Sequence, residues 1–389
     1  MNIRLATEKD RKSVYETMGY CFNTHPDAIE NNVKHGQLNT YEQFIVATNE
    51  NDELESVFSV VPFDVNFEGT VVKFGGVAGV STLPENRGTG NIAQLFTFAL
   101  EYMKEKNMIL SGLGPFAFQY YRKFGYEWCY TWQLVTIDIN DLKSFPAAPS
   151  YKKLSKENKE EFENFRNKCN MTINGPIIRD ERIVNEKWDH YRNSVSHVYA
   201  ACENDEIVAM MVYKQEGREI KVSEIYFESE KARQYLLHFL YRHRSMTDKV
   251  ELVLTVDDEI RNILPTPRLS YWHWPNKMGR VVMAKEALEL LKIKECFEGS
   301  FSIKVNDKHA NWNNKTFKLS YKNNGLLVEE TKDPCDFEMS IQRFSQLVLG
   351  HIGGEQAIRL ELVDVNNADK INVFNKVFTK RTTMLWQEF

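Results

Sequence analysis

The sequence predicts an α+β protein made of three consecutive domains. Its 389 residues exceed what a single hydrophobic core usually spans. An order of three strands, a helix and a further strand is predicted twice, once in each of the first two thirds of the chain. Pro146-Ala-Ala-Pro149 marks a break between these two repeats. The predicted domain boundaries are therefore 1–148, 149–284 and 285–389.

Composition excludes several classes of protein. Hydrophobic residues make up 42% of the chain, which is enough to fill cores, and the net charge of −5 argues against a nucleic-acid partner. The six cysteines are isolated from one another and from histidine pairs, so no zinc site or disulfide framework is predicted. The first ten residues show no apolar h-region typical of a signal peptide, and no apolar run reaches the roughly 20 residues of a membrane span. We expect a soluble, cytoplasmic protein without metal, nucleic-acid or membrane partners.

The first domain is predicted from alternating and helix-period segments. A capping-box pattern at Thr7–Asp10 begins the first helix. The predicted strands are 3–5, 42–48, 54–67, 71–73, 76–82, 108–113 and 126–139, and the predicted helices are 10–22, 88–106 and 116–124.

The stretch Val77–Ala93 carries the main functional signal. A small, β-branched strand ends at Pro84, and Gly88 and Gly90 precede the apolar, helix-period run that starts at Ile92. The first turn of a helix offers free N–H groups and the positive end of the macrodipole, which suit a phosphate. Gly90 is not followed by Lys-Ser/Thr, and the G-x-G-x-x-G spacing is absent, so this is neither a Walker loop nor a dinucleotide fingerprint. The hypothesis is a pyrophosphate site.

The second domain repeats this order without the same turn. Helices are predicted at 154–169, 180–194 and 232–242, and strands at 197–202, 206–214, 219–227 and 251–255. The turn Glu228-Ser-Glu-Lys231 has no glycine and two carboxylates, which would repel a pyrophosphate. We expect this domain to bind no such ligand.

The last third is predicted as a smaller α+β domain. An aromatic, proline-broken segment at 265–275 precedes it, and this segment is either a wall facing the substrate or a loop packing between domains. Strands follow at 300–305, 315–321 and 325–330, and a helix at 342–349. The final residues, from Met384 to Phe389, are apolar enough to dock, and an α-carboxylate brought inside a protein is costly unless it is used.

Two motifs carry a family resemblance. V-x-x-x-P-x-x-R-x-x-G at Val80–Gly90 resembles motif A of the GNAT acetyltransferases, and Y-x-x-F-G-Y at Tyr121–Tyr126 resembles a later GNAT element. Tandem GNAT-like domains, the second degenerate, followed by a sterol-carrier-protein-like domain ending in Phe389, resemble the enhanced intracellular survival (Eis) acetyltransferases. Ile92 departs from the small residue of motif A, and Gly88-Thr89 stands where the family can have two further arginines.

The resemblance implies an acetyl-CoA-dependent N-acetyltransferase acting on small-molecule amines, of aminoglycoside or polyamine type, usually as a hexamer. It implies Tyr121 as general acid and the terminal carboxylate of Phe389 as general base. Two alternatives stay open: a protein or peptide lysine acetyltransferase, and a non-catalytic protein that binds CoA or lipid. The implied coenzyme-binding residues are Val80, Ser81, Thr82, Arg87, Gly88, Thr89, Gly90, Asn91, Ile92, Ala93, Phe116 and Ala117.

Overall fold

The structure, a computed structural model, describes residues 1–34, 43–323 and 325–385. Runs of consecutive strands are separated by helices along this part of the chain, which agrees with an α+β class. The strands are β1 (Asn2–Leu5), β2 (Phe44–Thr48), β3 (Leu54–Phe67), β4 (Thr70–Thr82), β5 (Met108–Leu113), β6 (Glu127–Asp138), β7 (Ser150–Leu154), β8 (Ile177–Ile178), β9 (His197–Glu203), β10 (Glu206–Glu216), β11 (Glu219–Phe227), β12 (Lys249–Thr255), β13 (Ser270–Val281), β14 (Ser300–Asn306), β15 (Thr316–Lys322), β16 (Gly325–Thr331), β17 (Phe337–Ser340) and β18 (Asp364–Val365).

The helices are mostly short and amphipathic. None of the described helices is long and apolar enough to cross a membrane. They are α1 (Arg11–Cys21), α2 (Pro26–Lys34), α3 (Asn91–Glu105), α4 (Phe118–Arg122), α5 (Lys159–Asn170), α6 (Glu181–Asn193), α7 (Glu230–Tyr241), α8 (Ala284–Glu289), α9 (Ile341–Leu349), α10 (Gly354–Arg359) and α11 (Ile371–Val377).

Two compact units make up the chain, and the first consists of residues 1–130, 173–178 and 276–389. Its larger sheet has the strand order β1-β2-β3-β4-β5, followed by the last residues of β13. All of these neighbours are antiparallel except β4 and β5, which are parallel. The helix α3 connects the parallel pair and buries Leu95, Phe96, Ala99, Leu100 and Met103 in the core. This β4–α3–β5 connection positions the candidate site.

The first unit also contains the C-terminal five-stranded sheet, ordered β16-β15-β14-β17-β18. Its helix α9 is amphipathic and has a Ser340 cap, whose hydroxyl accepts a hydrogen bond from the Arg343 N–H. Gln342 of this helix donates to the Arg122 carbonyl (2.8 Å), and Gln346 donates to the Trp128 carbonyl (2.9 Å). These bonds attach the C-terminal domain to the end of α4 and the start of β6.

The second unit consists of residues 131–172 and 179–275. Its sheet has the order β6-β12-β11-β10-β9-β7, and β11 and β12 are the parallel pair in an otherwise antiparallel arrangement. The helix α7 connects β11 to β12, as α3 connects β4 to β5. The order of elements predicted twice from the sequence is therefore present twice in the structure.

Several elements differ from their predicted form. Residues 71–82 form one strand rather than two, and the predicted helix at Leu154 is wrong at its start, because β7 ends at Leu154 and α5 begins at Lys159. The helices α2, α10 and α11 were not predicted. The proline-broken segment 265–275 ends in β13, on which Trp272 and Trp274 are 57% and 47% exposed. Pro275 lies within this strand, which is why the sequence suggested a break.

Candidate active site

A bulge interrupts the pairing of β4 with β3. Val57 pairs with Ser81 and Ser59 pairs with Ala78, so two residues, Gly79 and Val80, lie opposite Phe58. Gly79 has φ +67°, the left-handed conformation that favours glycine. The bulge rotates the backbone at Val80, and this residue becomes part of the wall of a cavity.

The parallel pairing of β4 with β5 stops just before this bulge. The last paired residues are Val77 and Leu113, where β5 ends, whereas β4 continues for five residues to Thr82. Beyond Val77 this edge of β4 no longer pairs with β5, so an extended, amide-containing ligand can lie along it as a further strand would. The separation of the two strands thus creates a slot in the sheet.

The turn after β4 leads directly to the N-terminus of α3. Gly88 has φ +81° and Gly90, the N-cap residue, has φ +88°, and an added Cβ at either position would meet no atom within 4 Å. The left-handed backbone explains why α3 begins at Asn91 instead of the predicted residue 88. Within the described residues, no backbone or side-chain acceptor is bonded to the N–H groups of residues 88–92. These donors and the helix dipole make an anion site.

Three side-chain contacts hold this turn in place. Arg87 donates through Nε to the Thr82 carbonyl (3.1 Å), and Thr89 donates to the Asn86 carbonyl (2.8 Å). Asn91 donates through Nδ2 to the Glu55 carboxylate (2.8 Å). The turn therefore keeps its shape through its own contacts, so its open N–H groups are already arranged for a ligand.

The bulge, the turn and the start of α3 all line one cavity of about 810 Å³. Ten of the twelve predicted coenzyme-binding residues contribute to its wall. Ser81 and Ala117 do not: Ser81 is buried and its hydroxyl donates to the Gly79 carbonyl (3.1 Å), and Ala117 is the N-cap of α4. The ten are Val80, Thr82, Arg87, Gly88, Thr89, Gly90, Asn91, Ile92, Ala93 and Phe116.

Six further residues of the wall were not identified from the sequence: Cys21, Asn86, Tyr120, Lys123, Phe124 and His309. The Cys21 thiol at the end of α1 lies 3.5 Å from the Thr82 carbonyl. Tyr120 and Phe124 flank the predicted general acid, so that motif could have indicated them. His309 lies in the C-terminal domain, 212 positions from its nearest side-chain partner Thr97, and no local pattern marks it.

Tyr121, the predicted general acid, lies in α4 with only 3% of its surface exposed. Its ring packs edge-on against Phe116 (5.3 Å between centroids) and Tyr120 (5.2 Å), both of which line the cavity, although Tyr121 itself is not among the lining residues. Within the described residues its hydroxyl has no hydrogen-bond partner. Burial raises the pKa of Tyr121, so the hydroxyl keeps its proton at neutral pH.

The neighbouring Tyr126 is a core residue. It is fully buried, and its hydroxyl lies 2.7 Å from the Ser111 hydroxyl. Gly125, which precedes it, is required by a distant side chain: an added Cβ would lie 1.4 Å from Nη1 of Arg280. Through that atom Arg280 donates to the Phe124 carbonyl (2.6 Å). The glycine of the Y-x-x-F-G-Y motif thus makes room for a buried guanidinium.

Phe389, the predicted general base, lies outside the described residues. The preceding tail is docked: Thr383 donates through its hydroxyl to the Cys129 carbonyl (3.0 Å), and the Met384 N–H donates to the Asn174 carbonyl (3.0 Å). Arg381 forms an ion pair with Glu68, whose carboxylate also accepts from Asn174 Nδ2 (3.0 Å). The described chain ends at Leu385, which is fully buried.

Comparisons with known families agree with this arrangement. Residues 2–129 and residues 175–283 match two families that are each described as an acetyltransferase (GNAT) domain. Residues 284–386 match the sterol carrier protein domain. A comparison with curated proteins gave no match.

Solved structures share the fold over the full chain. A conserved protein from Enterococcus faecalis V583, named as a probable N-acyltransferase, is 20% identical with a TM-score of 0.87, covering 100% of this chain and 99% of its own. A GCN5-related N-acetyltransferase from Anabaena variabilis is 20% identical (TM-score 0.86, 100% of both chains). Eis1 from Mycobacterium abscessus is 17% identical (TM-score 0.83, 100% of both chains). The chain is an acetyltransferase of the GNAT fold, with two GNAT domains followed by a sterol carrier protein domain.

Proposed function

We propose that this protein is an acetyl-CoA-dependent N-acetyltransferase of the Eis type, which acetylates amines resembling aminoglycosides or polyamines. One observation carries the proposal: the bulged, unpaired edge of β4 and the open N-terminus of α3 line the same cavity. An extended pantetheine arm and a pyrophosphate require these two features side by side.

The residues around the turn fit the coenzyme chemically. The space beyond Gly88 and Gly90 is open, so the backbone can approach a phosphate closely. Each N–H hydrogen bond to a charged group contributes about 1.5–3 kcal/mol, and the helix dipole adds about 0.3–1 kcal/mol. Arg87 and Lys123 add positive charge to the wall. Acetyl-CoA, when bound, supplies the acetyl group as a thioester.

The chain's own residues would then handle protons and charge. The backbone at Val80 provides N–H donors at the bulge, where a carbonyl oxygen gains negative charge during acyl transfer. Tyr121 holds a proton at its hydroxyl oxygen beside Phe116. The proposed acceptor of the amine proton is the carboxylate of Phe389, and this role stays a prediction, as does the hexamer.

The substrate class rests on the family resemblance and on charge. Aminoglycosides and polyamines are cations, and the chain has a net charge of −5. The structural likeness to Eis1 from Mycobacterium abscessus supports the fold on which that resemblance depends.

The test is mass spectrometry of aminoglycosides, polyamines and a lysine-containing peptide after incubation with acetyl-CoA. We expect mass gains of whole acetyl units on aminoglycosides or polyamines, and no gain without enzyme. Acetylation of the peptide alone would favour the protein acetyltransferase alternative. Binding of CoA without acetylation of any amine would favour the non-catalytic alternative.

A further inference from the structure

We infer that the C-terminal domain forms part of the coenzyme site, and that His309 is the positioning residue through which it does so. This inference rests on the proposed function, because it takes the cavity beside α3 as the coenzyme site. His309 lies in the connection between β14 and β15, and it lines this cavity together with residues of the first GNAT domain.

The imidazole of His309 joins the two helices that border the cavity. Nδ1 lies 3.3 Å from the Thr97 hydroxyl in the second turn of α3. Nε2 lies 3.0 Å from the carbonyl of Lys123, the residue that follows α4, and a carbonyl only accepts, so Nε2 donates. The ring also packs edge-on against Phe124 at 5.7 Å between centroids. One side chain thus fixes the distance between α3 and α4.

The loop that carries His309 is itself held by a fully buried ion pair. Asp307 accepts hydrogen bonds from the N–H groups of His309 (3.1 Å) and Ala310 (3.2 Å). Its carboxylate is bonded by both Arg280 (2.8 and 2.9 Å) and Asn313 (3.1 Å), and the side chains of Arg280 and Asp307 are 0% exposed. Removing one partner of such a pair leaves a buried charge. The loop is therefore a fixed support.

The Arg280–Asp307 ion pair also connects the loop that carries His309 to the Y-x-x-F-G-Y motif at Tyr121–Tyr126. Arg280 donates to the Phe124 carbonyl, directly beside Lys123, whose carbonyl His309 bonds. His309 of the C-terminal domain and Arg280 of β13 therefore hold the residues after α4 at two successive carbonyls, and His309 also contacts α3 through Thr97. Helix α3 presents the phosphate-binding N–H groups, and α4 carries Tyr120 and precedes Lys123 in the opposite wall. Fixing these helices sets the width of the coenzyme cavity.

The test compares His309→Ala and His309→Gln, whose amide can keep the donor to the Lys123 carbonyl, with Lys308→Ala as the matched control. Lys308 is the exposed neighbour and does not line the cavity. For His309→Ala we expect the Kd for CoA, by calorimetry, and the KM for acetyl-CoA to rise about tenfold, as for the loss of one to two hydrogen bonds. We expect kcat and the KM for the amine to stay within about twofold. The Gln variant should recover most of the affinity, and Lys308→Ala should bind CoA as the unmodified protein does.

Thr97→Val provides a second test from the other end of the same contact, and we expect it to weaken CoA binding in the same direction. The inference is overturned if His309→Ala binds CoA as tightly as the unmodified protein. It is also overturned if kcat and thermal stability fall while both KM values rise, because that pattern indicates a general structural role. If the unmodified protein binds no CoA, the proposed function itself fails, and this result differs from both of the others.

Discussion

The two GNAT domains share one backbone arrangement, but they differ in the side chains that occupy the cleft between the parallel strands. In the first, β4 and β5 separate after Val77, and a bulge follows at Gly79. In the second, the parallel pairing of β11 and β12 ends at Val222 and Leu252, and an unpaired residue, Ser223, follows at once in β11. Strand separation and a bulge are therefore properties of the fold in both domains.

The turns before the connecting helices differ sharply. In the first domain the N-cap is Gly90, which offers no side-chain acceptor, and the N–H groups stay open. In the second the Ser229 hydroxyl accepts from the Ala232 N–H (3.2 Å). The two acids expected to repel a phosphate are both paired, Glu228 with Lys168 (2.7 Å) and Glu230 with Arg233 (2.6 Å). The second helix is thus closed by its own cap and ion pairs.

The region beside the second bulge is filled as well. The Glu224 carboxylate, next to Ser223, is bonded by Arg179 (2.9 Å) and by the hydroxyls of Tyr191 and Tyr226 (2.7 Å each). All four of these side chains are buried. A cleft that is open in one domain has become polar core in the other. Function therefore depends on the contents of the cleft, because the fold alone is common to both.

The largest effect is expected from removing the hydroxyl of Tyr121, whose environment differs from that of the buried tyrosines in the second domain. The hydroxyls of Tyr191 and Tyr226 donate hydrogen bonds to the Glu224 carboxylate, whereas the Tyr121 hydroxyl has no hydrogen-bond partner within the described residues. We expect Tyr121→Phe to lower kcat by about 10²–10⁴-fold, as loss of a general acid does, without changing the Kd for CoA. Steady-state kinetics and calorimetry measure the two quantities.

Tyr191→Phe is the matched control, because it removes a buried hydroxyl from the second domain. It should lower stability and leave kcat unchanged; an equal fall in kcat for both variants would contradict the role of Tyr121. Burial raises the pKa of Tyr121 above its ordinary value of 10.0, so its acid form persists at mildly alkaline pH. We expect no alkaline fall of kcat from this group below pH 10.

The next effect concerns the filled cleft. We expect Glu224→Gln to lower the free energy of unfolding by about 3–5 kcal/mol, because the buried Arg179 then loses one of the two carboxylates, Glu224 and Glu163, with which it pairs. Urea unfolding measures this loss. Glu216→Gln, an exposed carboxylate paired with Lys214 and Lys221, should change stability little. A small effect at Glu224 would show that the cluster is not needed to close the cleft.

Acid pH tests the same carboxylate. Burial alone would raise the pKa of Glu224, but Arg179, Lys187 and Arg166 outweigh burial and lower it to about 2 from an ordinary 4.5. A lowered folded-state pKa means that this stabilisation is complete above pH 4.5 and is lost as the pH falls toward 2. Stability of the unmodified protein should therefore fall more steeply over that range than stability of Glu224→Gln.

A smaller effect is expected when a carboxylate, as found in the turn before α7, is introduced into the turn before α3. We expect Gly90→Glu to raise the Kd for CoA about 100-fold, since a carboxylate at this N-cap opposes the phosphates. Gly217→Glu is the control, because Gly217 also has a positive φ (+60°) and open space around it, but lies in the turn between β10 and β11. Equal losses of affinity in both variants would attribute the effect to backbone strain.

The sequence was most informative where local chemistry decides the structure. Pro84 indicated the end of one strand, Gly88 and Gly90 indicated the turn before α3, and the lack of glycine near Ser229 indicated that the second domain differs. These positions depend on backbone angles and capping, which neighbouring residues determine. The succession of strands and helices along the chain in both domains was predicted from hydrophobic periodicity and turn residues.

The sequence was silent where distant residues decide it. At Gly125 the positive φ (+86°) is a local reason for glycine, but the second reason is distant: Arg280, which bonds a carbonyl 156 positions away, occupies the space of a Cβ. His309 lacks any pattern of its own, since its partners Thr97 and Lys123 lie 212 and 186 positions away. Contacts between two domains produce no periodic pattern in the sequence, so this part of the site could be recognised only in the three-dimensional structure.

The variant with the smallest expected effect tests whether the turn or the filled cleft prevents the second domain from binding CoA. Ser229→Gly combined with Glu230→Gln removes the cap and one acid but keeps the Arg179–Glu224 cluster. We expect a loss of stability of about 1 kcal/mol or less from the cap, and still one CoA bound per chain by calorimetry. Two CoA molecules per chain would mean that the turn alone excludes the coenzyme. One CoA per chain would mean that the filled cleft excludes the coenzyme. A pyrophosphate cannot bind at the helix N-terminus while the pantetheine arm attached to it has no slot to enter.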